Sequence, residues 1–475
     1  MKRDLNFART KIIGTLGPAS RNPEVLTKMM SAGLDVVRLN CSHSNPSELK
    51  DSIKLVQQVS AECENPVAIL ADLGGPKIRL AIIPDDIPVQ TGQIITLTAD
   101  SNYKGNDKIP AGYPELAEDL KPGNKILIDD GLVELIVDSI NPPDIECRVL
   151  NDGVLKSRKG INLPGVEISL PSLTKKDRED IDFLVTQPID YIALSFVRSR
   201  DDIRELRKLL ESKGRDIPII AKIEKPEAVA NLEDIIREAD MVMVARGDLG
   251  VEMPTEEVPI IQKRIIAECN RQNKPVITAT QMLDSMINNP RPTRAEASDV
   301  ANAVFDGTDA VMLSGETSVG HYPVECVSIM DEIVRTAENH RKLHHSSLHY
   351  RRMENMSYEE SICHSACLMA EENNAAAIIC LTNKGRTALL LSRFRPAVPV
   401  IAFTEKMDAV RYLNIVWGVQ GELIVGVKDT DTTLDMAAKL AEDMGYITKG
   451  DTVVFTAGIP LLESPHTNML KIIEV

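Results

Sequence analysis

The run PIIAKIEKPEA sets an ammonium, Lys222, and a carboxylate, Glu224, two residues apart in a stretch whose apolar neighbours read as a buried strand. Strand side chains alternate faces with period two, so both point the same way. Farther on, MVMVARGDLG ends a second apolar strand with Asp248 just beyond its last hydrophobic position. Two carboxylates and a lysine drawn from two strand ends describe a divalent-cation site with a fixed positive charge beside it. Such a site suits a phosphorylated, anionic substrate, because cation and lysine share the charge that develops on transfer. Hard oxygen ligands with no His or Cys cluster nearby select Mg2+ or Mn2+ over zinc. ARGDLG adds a Gly-containing turn opening into a helix, whose N–H groups suit a substrate carboxylate. Lys222 is a compact point charge fit for a phosphoryl group in flight, and Arg38 and Arg79 could each clamp phosphate bidentately.

Other apolar runs also end in polar residues. VVRLNCSH supplies Arg38, Asn40, Ser42 and His43, and ADLGGPKIR supplies Asp72, Lys77 and Arg79. VARGD adds Arg246 and Gly247, TATQML adds Thr280, and MLSGET adds Ser314 and Glu316. Each has a plainer explanation when taken alone. A glutamate at a strand end can be a solvated cap, Arg38 can pair structurally with Asp72, and Ser314 can cap the next helix. The conjunction of carboxylate, lysine, arginine and hydroxyl at the ends of at least five strands favours a catalytic rim.

The elements that must position these groups alternate. Strands are predicted over Lys11–Thr15, Asp35–Asn40, Val67–Asp72, Tyr191–Phe196, Pro218–Ile223, Met241–Ala245, Pro275–Thr280 and Ala310–Ser314, with amphipathic helical stretches between them. About eight β-α repeats with near-continuous Val/Ile/Leu strands imply a closed (β/α)8 barrel, which keeps its catalysts at the carboxyl ends of the strands. A doubly wound open sheet is the competing architecture, disfavoured because no GxGxxG follows any strand. The barrel is assigned residues 1–75 and 165–343. Residues 76–164 break the rhythm with short β-prone runs and dense turn signals, and read as an inserted small β-barrel domain overhanging the mouth as a lid. Asp129 and Asp130, before Gly131, read as a hairpin turn and not as catalytic acids. Residues 344–475 read as a third, open-sheet α/β domain, entered through a polar connector whose His344, His345 and His349 read as solvated linker.

The chain of 475 residues carries a net charge of −16, with a sequence pI near 5.1. That balance argues against nucleic acid or an anionic membrane as the main partner. The eight cysteines are scattered without a CxxC pair, Cys363 and Cys367 reading as packing. With no signal-peptide pattern and no membrane-length apolar run, the expected compartment is the cytoplasm.

TKIIGTLGPAS, DVVRLNCSHS, DLGGPKIR, IALSFVRS, IIAKIEKPEAV, VARGDLGVE, the long stretch from Thr278 to Pro323 and the ending TNML together resemble the pyruvate kinase family, over essentially the whole chain. The resemblance implies transfer of the phosphoryl group of phosphoenolpyruvate to ADP, giving pyruvate and ATP. It implies that Glu224 and Asp248 hold Mg2+, that Lys222 stabilises the transferring group, and that Arg38 contacts the phosphate. Gly247, Asp248 and Thr280 would contact the substrate carboxylate. Asn40, Cys41, Ser42, His43, Arg79 and Lys159 would lie at the nucleotide, and Thr280, Ser314 and Glu316 along the route that protonates the enolate. The family's monovalent-cation site maps to Asn40, Ser42, Asp72 and the Leu73 carbonyl.

Potassium-dependent members carry Glu where Lys77 stands and usually Thr-Lys where this chain has Leu73-Gly74. A lysine near that site supplies a fixed positive charge, so the expectation is activity without added K+. The third domain resembles the family's effector domain, and LTNKGRTALLLSRFRP reads as strand, loop and helix N-terminus. A sugar phosphate or nucleotide monophosphate is expected at Thr382, Asn383, Lys384, Gly385, Arg386 and Thr387. The resemblance also implies a homotetramer. Two other readings remain: a Mg2+-dependent 2-oxo-acid lyase or aldolase on the same kind of barrel, and a non-catalytic scaffold.

Overall fold

The computed structural model describes residues 7–340, 356–461, 464 and 466–475. Eight parallel strands close into a barrel: β1 Lys11–Thr15, β2 Val36–Asn40, β3 Ala68–Asp72, β4 Tyr191–Leu194, β5 Ile219–Ile223, β6 Met241–Ala245, β7 Val276–Ala279 and β8 Ala310–Leu313. Pairing of β1 with both β2 and β8 completes the ring. Three strands stop short of their predicted ends. In two the cause is a residue in the left-handed region, Phe196 at φ 54° and Thr280 at φ 69°, which leaves the ladder; in β8 Ser314 turns at ψ −92° into the helix Gly315–Ser318.

Along each strand the side chains alternate between a barrel interior and a helix-facing surface. Ile13, Val36, Leu70, Ala193, Ile220 and Met243 belong to the buried interior cluster. Their neighbours Ile12, Val37, Ile69, Ile192 and Ala221 pack outward against the helices. The same phase carries Thr15, Arg38, Asp72, Lys222 and Glu224 to the inward face at the carboxyl ends. Register stacks them in adjoining layers: Thr15 pairs with Arg38 and Arg38 with Leu70, so Asp72 stands one layer higher, opposite Asn40.

The loops above the rim are anchored by helix caps. Asn45, Thr174, Ser199 and Thr293 each open a helix with a capping box, satisfying N–H groups that would otherwise lack partners. Each box contributes about 1 kcal/mol and fixes where the preceding loop enters its helix.

The insert between β3 and β4 is a curled six-stranded sheet with a separate two-stranded ribbon. Among the described residues the sheet's end strands, Ile161–Asn162 and Ile109–Pro110, do not pair with each other. Its core runs from Ile78 to Val166, with Leu97, Ile126, Leu135 and Ile145 fully buried. Asp129 and Asp130, both at φ 55°, form the turn between Lys125–Ile128 and Val133–Asn141.

The third domain is a five-stranded sheet of β9 Ala377–Leu381, β10 Val400–Thr404, β11 Val419–Leu423, β12 Thr452–Ala457 and β13 Met469–Glu474, in the order β11-β10-β9-β12-β13. Only β13 runs antiparallel to its neighbour. This domain seals the amino end of the barrel. Ile415 joins the interior cluster, and the Tyr191 hydroxyl donates to the carbonyls of Arg411 (2.9 Å) and Tyr412 (2.7 Å). The eight cysteines are free, and Cys363 and Cys367 pack in the core of this domain. His344, His345, His349 and the expected boundary at 343–344 lie outside the described residues. Among the described residues no helix is long and apolar enough to cross a membrane.

Candidate active site

At the carboxyl rim the Lys222 ammonium lies 2.8 Å from Glu224 Oε1 and 3.5 Å from Asp72 Oδ1, and it donates to Ser195 Oγ at 2.8 Å. Asp72 Oδ2 accepts from Arg38 Nε at 2.7 Å, and Arg38 Nη1 donates to Thr15 Oγ1 at 3.0 Å. Glu224 Oε2 accepts the Phe196 N–H at 2.7 Å. Asp72 and Glu224 are each 1% exposed, so this charge cluster is sealed except toward the cleft. Asp248 stands in the first turn of the helix Arg246–Glu252, half-buried, with Oδ1 3.9 Å from Lys77 Nζ. The expected convergence is therefore present: Lys222, Glu224, Asp72, Arg38 and Asp248 share one mouth.

Burial pulls the Lys222 ammonium down, but Asp72, Glu224 and Asp248 outweigh it and hold it above the usual lysine range. Burial raises the Glu224 carboxyl, Lys222 opposes the rise, and the charge of Asp248 adds to it. Asp72 stays below the usual carboxylate range: burial is overcome by Lys222 and Arg38.

Of these carboxylates, Glu224 and Asp248 are the pair that could hold a divalent cation: Glu224 Oε1 is buried without a hydrogen-bond donor and Asp248 lines the cleft half-buried, whereas Asp72 is engaged by Arg38 and Lys222. Among the described residues no three His, Cys, Asp or Glu side chains form a cage. Two carboxylates with an open side suit Mg2+, which keeps waters and substrate oxygens in its shell.

Beside this site the rim is basic. The His43 imidazole is held below its usual range by burial and by Arg79, Lys77, Arg38 and Lys176. Four cations at one edge of a chain with net charge −16 make a local sink for phosphate. Asn40 Oδ1 accepts the Ser42 N–H at 3.0 Å, and Gly74 lies so close that a Cβ there would meet Ser42 Oγ at 2.8 Å. Cys41 brings no side chain to this edge, because its thiol is fully buried among the barrel's outer packing. Its carbonyl accepts from Lys176 Nζ at 2.8 Å, and Lys176 is a rim cation that sequence reasoning missed. The TKKD run that opens its helix was the available signal. On the lid, Lys159 is paired with Asp129 at 2.9 Å. The Leu73 carbonyl accepts from the Ser195 hydroxyl at 2.8 Å.

On the opposite side, the Gly247 N–H donates to Thr280 Oγ1 at 2.8 Å. Arg246, expected only as a rim residue, is the brace of this corner. Its guanidinium grips Asp299 at 2.7 Å and donates to the Thr280 carbonyl at 2.7 Å, pinning Thr280 in its left-handed conformation. Lys77, Asp130, Gly247, Asp248 and Gln281 line a cleft of about 580 Å3 between lid and barrel.

Glu316 is turned inward: it is 1% exposed, and its oxygens accept the N–H groups of Leu283 (3.1 Å) and Ser314 (2.7 Å). Burial pushes its carboxyl up. It braces the backbone at Leu283 and Ser314, both its oxygens engaged by N–H groups.

In the third domain, the Thr382 hydroxyl accepts the Gly385 N–H at 3.0 Å and Thr387 bonds Thr467 at 2.8 Å, both buried. Arg386 pairs with Glu359 at 2.6 Å. Gly385 takes φ 87° and opens the helix Arg386–Arg393, while Asn383 and Lys384 are exposed toward a crevice below the barrel.

A closed parallel barrel with a lysine, an acidic pair and a basic phosphate edge at its mouth, under a lid, defines an enzyme of phosphate chemistry. The description "Pyruvate kinase, barrel domain" matches residues 7–327, and "Pyruvate kinase, alpha/beta domain" matches residues 360–473. A pyruvate kinase from Geobacillus stearothermophilus is 46% identical over 98% of this chain and 80% of its own length. One from Clostridium acetobutylicum is 44% identical, covering 98% of this chain and 99% of that protein. The crystal structure of a pyruvate kinase from Cryptosporidium parvum superposes with a TM-score of 0.90 at 36% identity, covering 99% of this chain and 96% of that one. The chain belongs to the pyruvate kinase family and is a phosphotransferase. Neither the lyase nor the scaffold alternative finds support in these matches.

Proposed function

We propose that the chain transfers the phosphoryl group of phosphoenolpyruvate to ADP, yielding pyruvate and ATP, with Mg2+ or Mn2+ held by Glu224 and Asp248. The observation that carries this reading is the Lys222 ammonium, fixed between Glu224 and Asp72 at the rim that also bears Asp248 and the cations around His43. When bound, the divalent cation supplies charge neutralisation and a template for phosphate and carboxylate oxygens. Lys222 stays protonated and offsets charge on the group in transfer, a role suited to a buried, pre-set ammonium. Arg38, held by Asp72 and Thr15, is oriented for the substrate phosphate. Gly247 and Thr280 flank the place for the substrate carboxylate. Arg79, Lys77 and Lys176, with Lys159 from the lid, attract the nucleotide phosphates, and His43, held toward its neutral form by burial and those cations, stands beside them. Thr280 and Ser314 stand on the route by which the enolate gains its proton, with Glu316 bracing Ser314 and Leu283 beside them. A coupled pyruvate assay that omits phosphoenolpyruvate, ADP or Mg2+ one at a time tests the reading. Activity surviving any single omission contradicts it.

Potassium is dispensable in this reading, because Lys77 lends a fixed positive charge at the mouth. Turnover that is negligible without monovalent salts and rises steeply with KCl refutes this. The loop Thr382–Thr387 is assigned to a sugar phosphate or nucleotide monophosphate, supported by the Gly385 turn and the exposed Lys384 and Arg386. Phosphoenolpyruvate saturation curves unmoved by a panel of such effectors argue against it. A cytoplasmic homotetramer completes the proposal, tested by sedimentation of the purified protein and by fractionation.

A further inference from the structure

We infer that Ser195 is a positioning residue for phosphoryl transfer: its hydroxyl holds the Lys222 ammonium in place by bridging it to the Leu73 carbonyl. The inference rests on the reading of Lys222 given above. Ser195 follows Tyr191 and Ala193 in the inward phase of β4 and is 2% exposed at the floor of the mouth. Its oxygen accepts from Lys222 Nζ at 2.8 Å while its proton goes to the Leu73 carbonyl at 2.8 Å. The hydroxyl is thereby fixed as acceptor toward the lysine, because its one proton is spent on the carbonyl.

The backbone around it is arranged to keep that geometry. Phe196 takes φ 54°, a conformation that a bulky side chain adopts only when its surroundings impose it. The twist aims the Phe196 N–H at Glu224 Oε2, 2.7 Å away. Opposite, Gly75 is packed so tightly that a Cβ there would lie 2.8 Å from the Phe196 ring and 3.0 Å from Ser195 Cβ. The Ser195–Phe196 elbow therefore orients two charged groups at once: the hydroxyl sets the lysine and the N–H sets the carboxylate beside it. An ammonium on a four-carbon stem needs such a fixed acceptor, since Glu224 and Asp72 attract it without aligned hydrogen bonds.

The test compares Ser195→Ala, Ser195→Thr and Lys222→Met with the wild-type protein, reading kcat, KM for phosphoenolpyruvate and melting temperature. Ser195→Ala keeps the volume nearly unchanged and removes the acceptor. Its kcat should fall about tenfold to a hundredfold, the rate equivalent of one hydrogen bond to a charged group, with KM nearly unchanged. Ser195→Thr restores the hydroxyl at the expense of an extra methyl in a tight space, so it should keep more of kcat than the alanine variant. A packing role predicts the reverse order, and that order, or an unchanged kcat in Ser195→Ala, overturns the proposal. Should Ser195→Ala fail to fold, the threonine variant decides. A kcat near wild type supports the hydroxyl's role, and a collapse of kcat at unchanged melting temperature overturns it. If Lys222→Met turns over normally, it is the reading of Lys222 that fails. If Lys222→Met is inactive while Ser195→Ala is normal, only the positioning role is lost.

Discussion

Replacing Asp72 by Asn isolates the electrostatic core of the site. The carboxylate lies 3.5 Å from Lys222 Nζ and 2.7 Å from Arg38 Nε, and 1% of it is exposed. At an effective dielectric constant of about 20, the attraction for Lys222 alone is about 5 kcal/mol, worth three to four pK units. The amide dipole and local relaxation return part of this, leaving a fall of about two units in the pKa of Lys222. The sign follows from the charges: an anion that stabilises the ammonium is removed, so the proton leaves at lower pH. If Lys222 sets the alkaline limb of kcat, that limb should move down by about two pH units in Asp72→Asn relative to the wild-type protein. Arg38 also loses its partner, at a stability cost of about 3–5 kcal/mol for a broken buried pair. Because Asp72 titrates below the usual range in the folded state, its contribution is complete above the unfolded carboxylate pKa and is lost as pH falls through the folded value. The melting deficit of Asp72→Asn should therefore shrink in acid. The assay is kcat against pH by stopped pyruvate measurement, with thermal melts alongside. An alkaline limb that stays where it was, in a folded variant, refutes the claim that Asp72 sets the charge of Lys222.

Three further outcomes are expected. Glu224→Gln should weaken Mn2+ binding to the free enzyme, read by titration, about tenfold or more, because one of two hard oxygen anions is lost; unchanged binding contradicts the ligand role. Gly75→Ala should destabilise by about 1–3 kcal/mol in denaturant melts, since φ 64° disfavours any Cβ and the nearest ring atom would be 2.8 Å away; wild-type stability contradicts the packing described. The Asp331 carboxyl, pushed up to about 6 mainly by burial, favours its protonated form in the folded state, so its contribution is full in acid and fades as pH rises through about 6. Asp331→Asn should gain about 1 kcal/mol at neutral pH, solvent screening included, and nothing near pH 4; equal gains at both contradict this.

Much of the site was legible because barrel chemistry is written at strand ends. The inward phase that places Lys222 and Glu224 on one face is a period-two pattern, visible without coordinates. The closed barrel was legible for the same reason, as repeated fully apolar runs. Ser195 was not: a serine after an apolar run carries no sign of which group its hydroxyl will meet across the barrel. Lys176 was hidden likewise, being one lysine of a polar helix start whose direction depends on the lid's return path. The inward placement of Glu316 is not legible either, because sequence cannot tell a carboxylate facing a cleft from one bonding buried N–H groups. In the third domain β11 is hard to read from sequence because Gly421 interrupts its pattern, and β13 because its half-exposed edge lacks the apolar run of its neighbours.

The most direct test of the account is the turnover of Lys222→Met in the forward assay with phosphoenolpyruvate, ADP and Mg2+ all present. The account predicts a loss of several orders of magnitude in kcat with Mn2+ binding and melting temperature close to wild type. Turnover within a fewfold of wild type would mean that the ammonium gathered at this rim is not what drives the transfer.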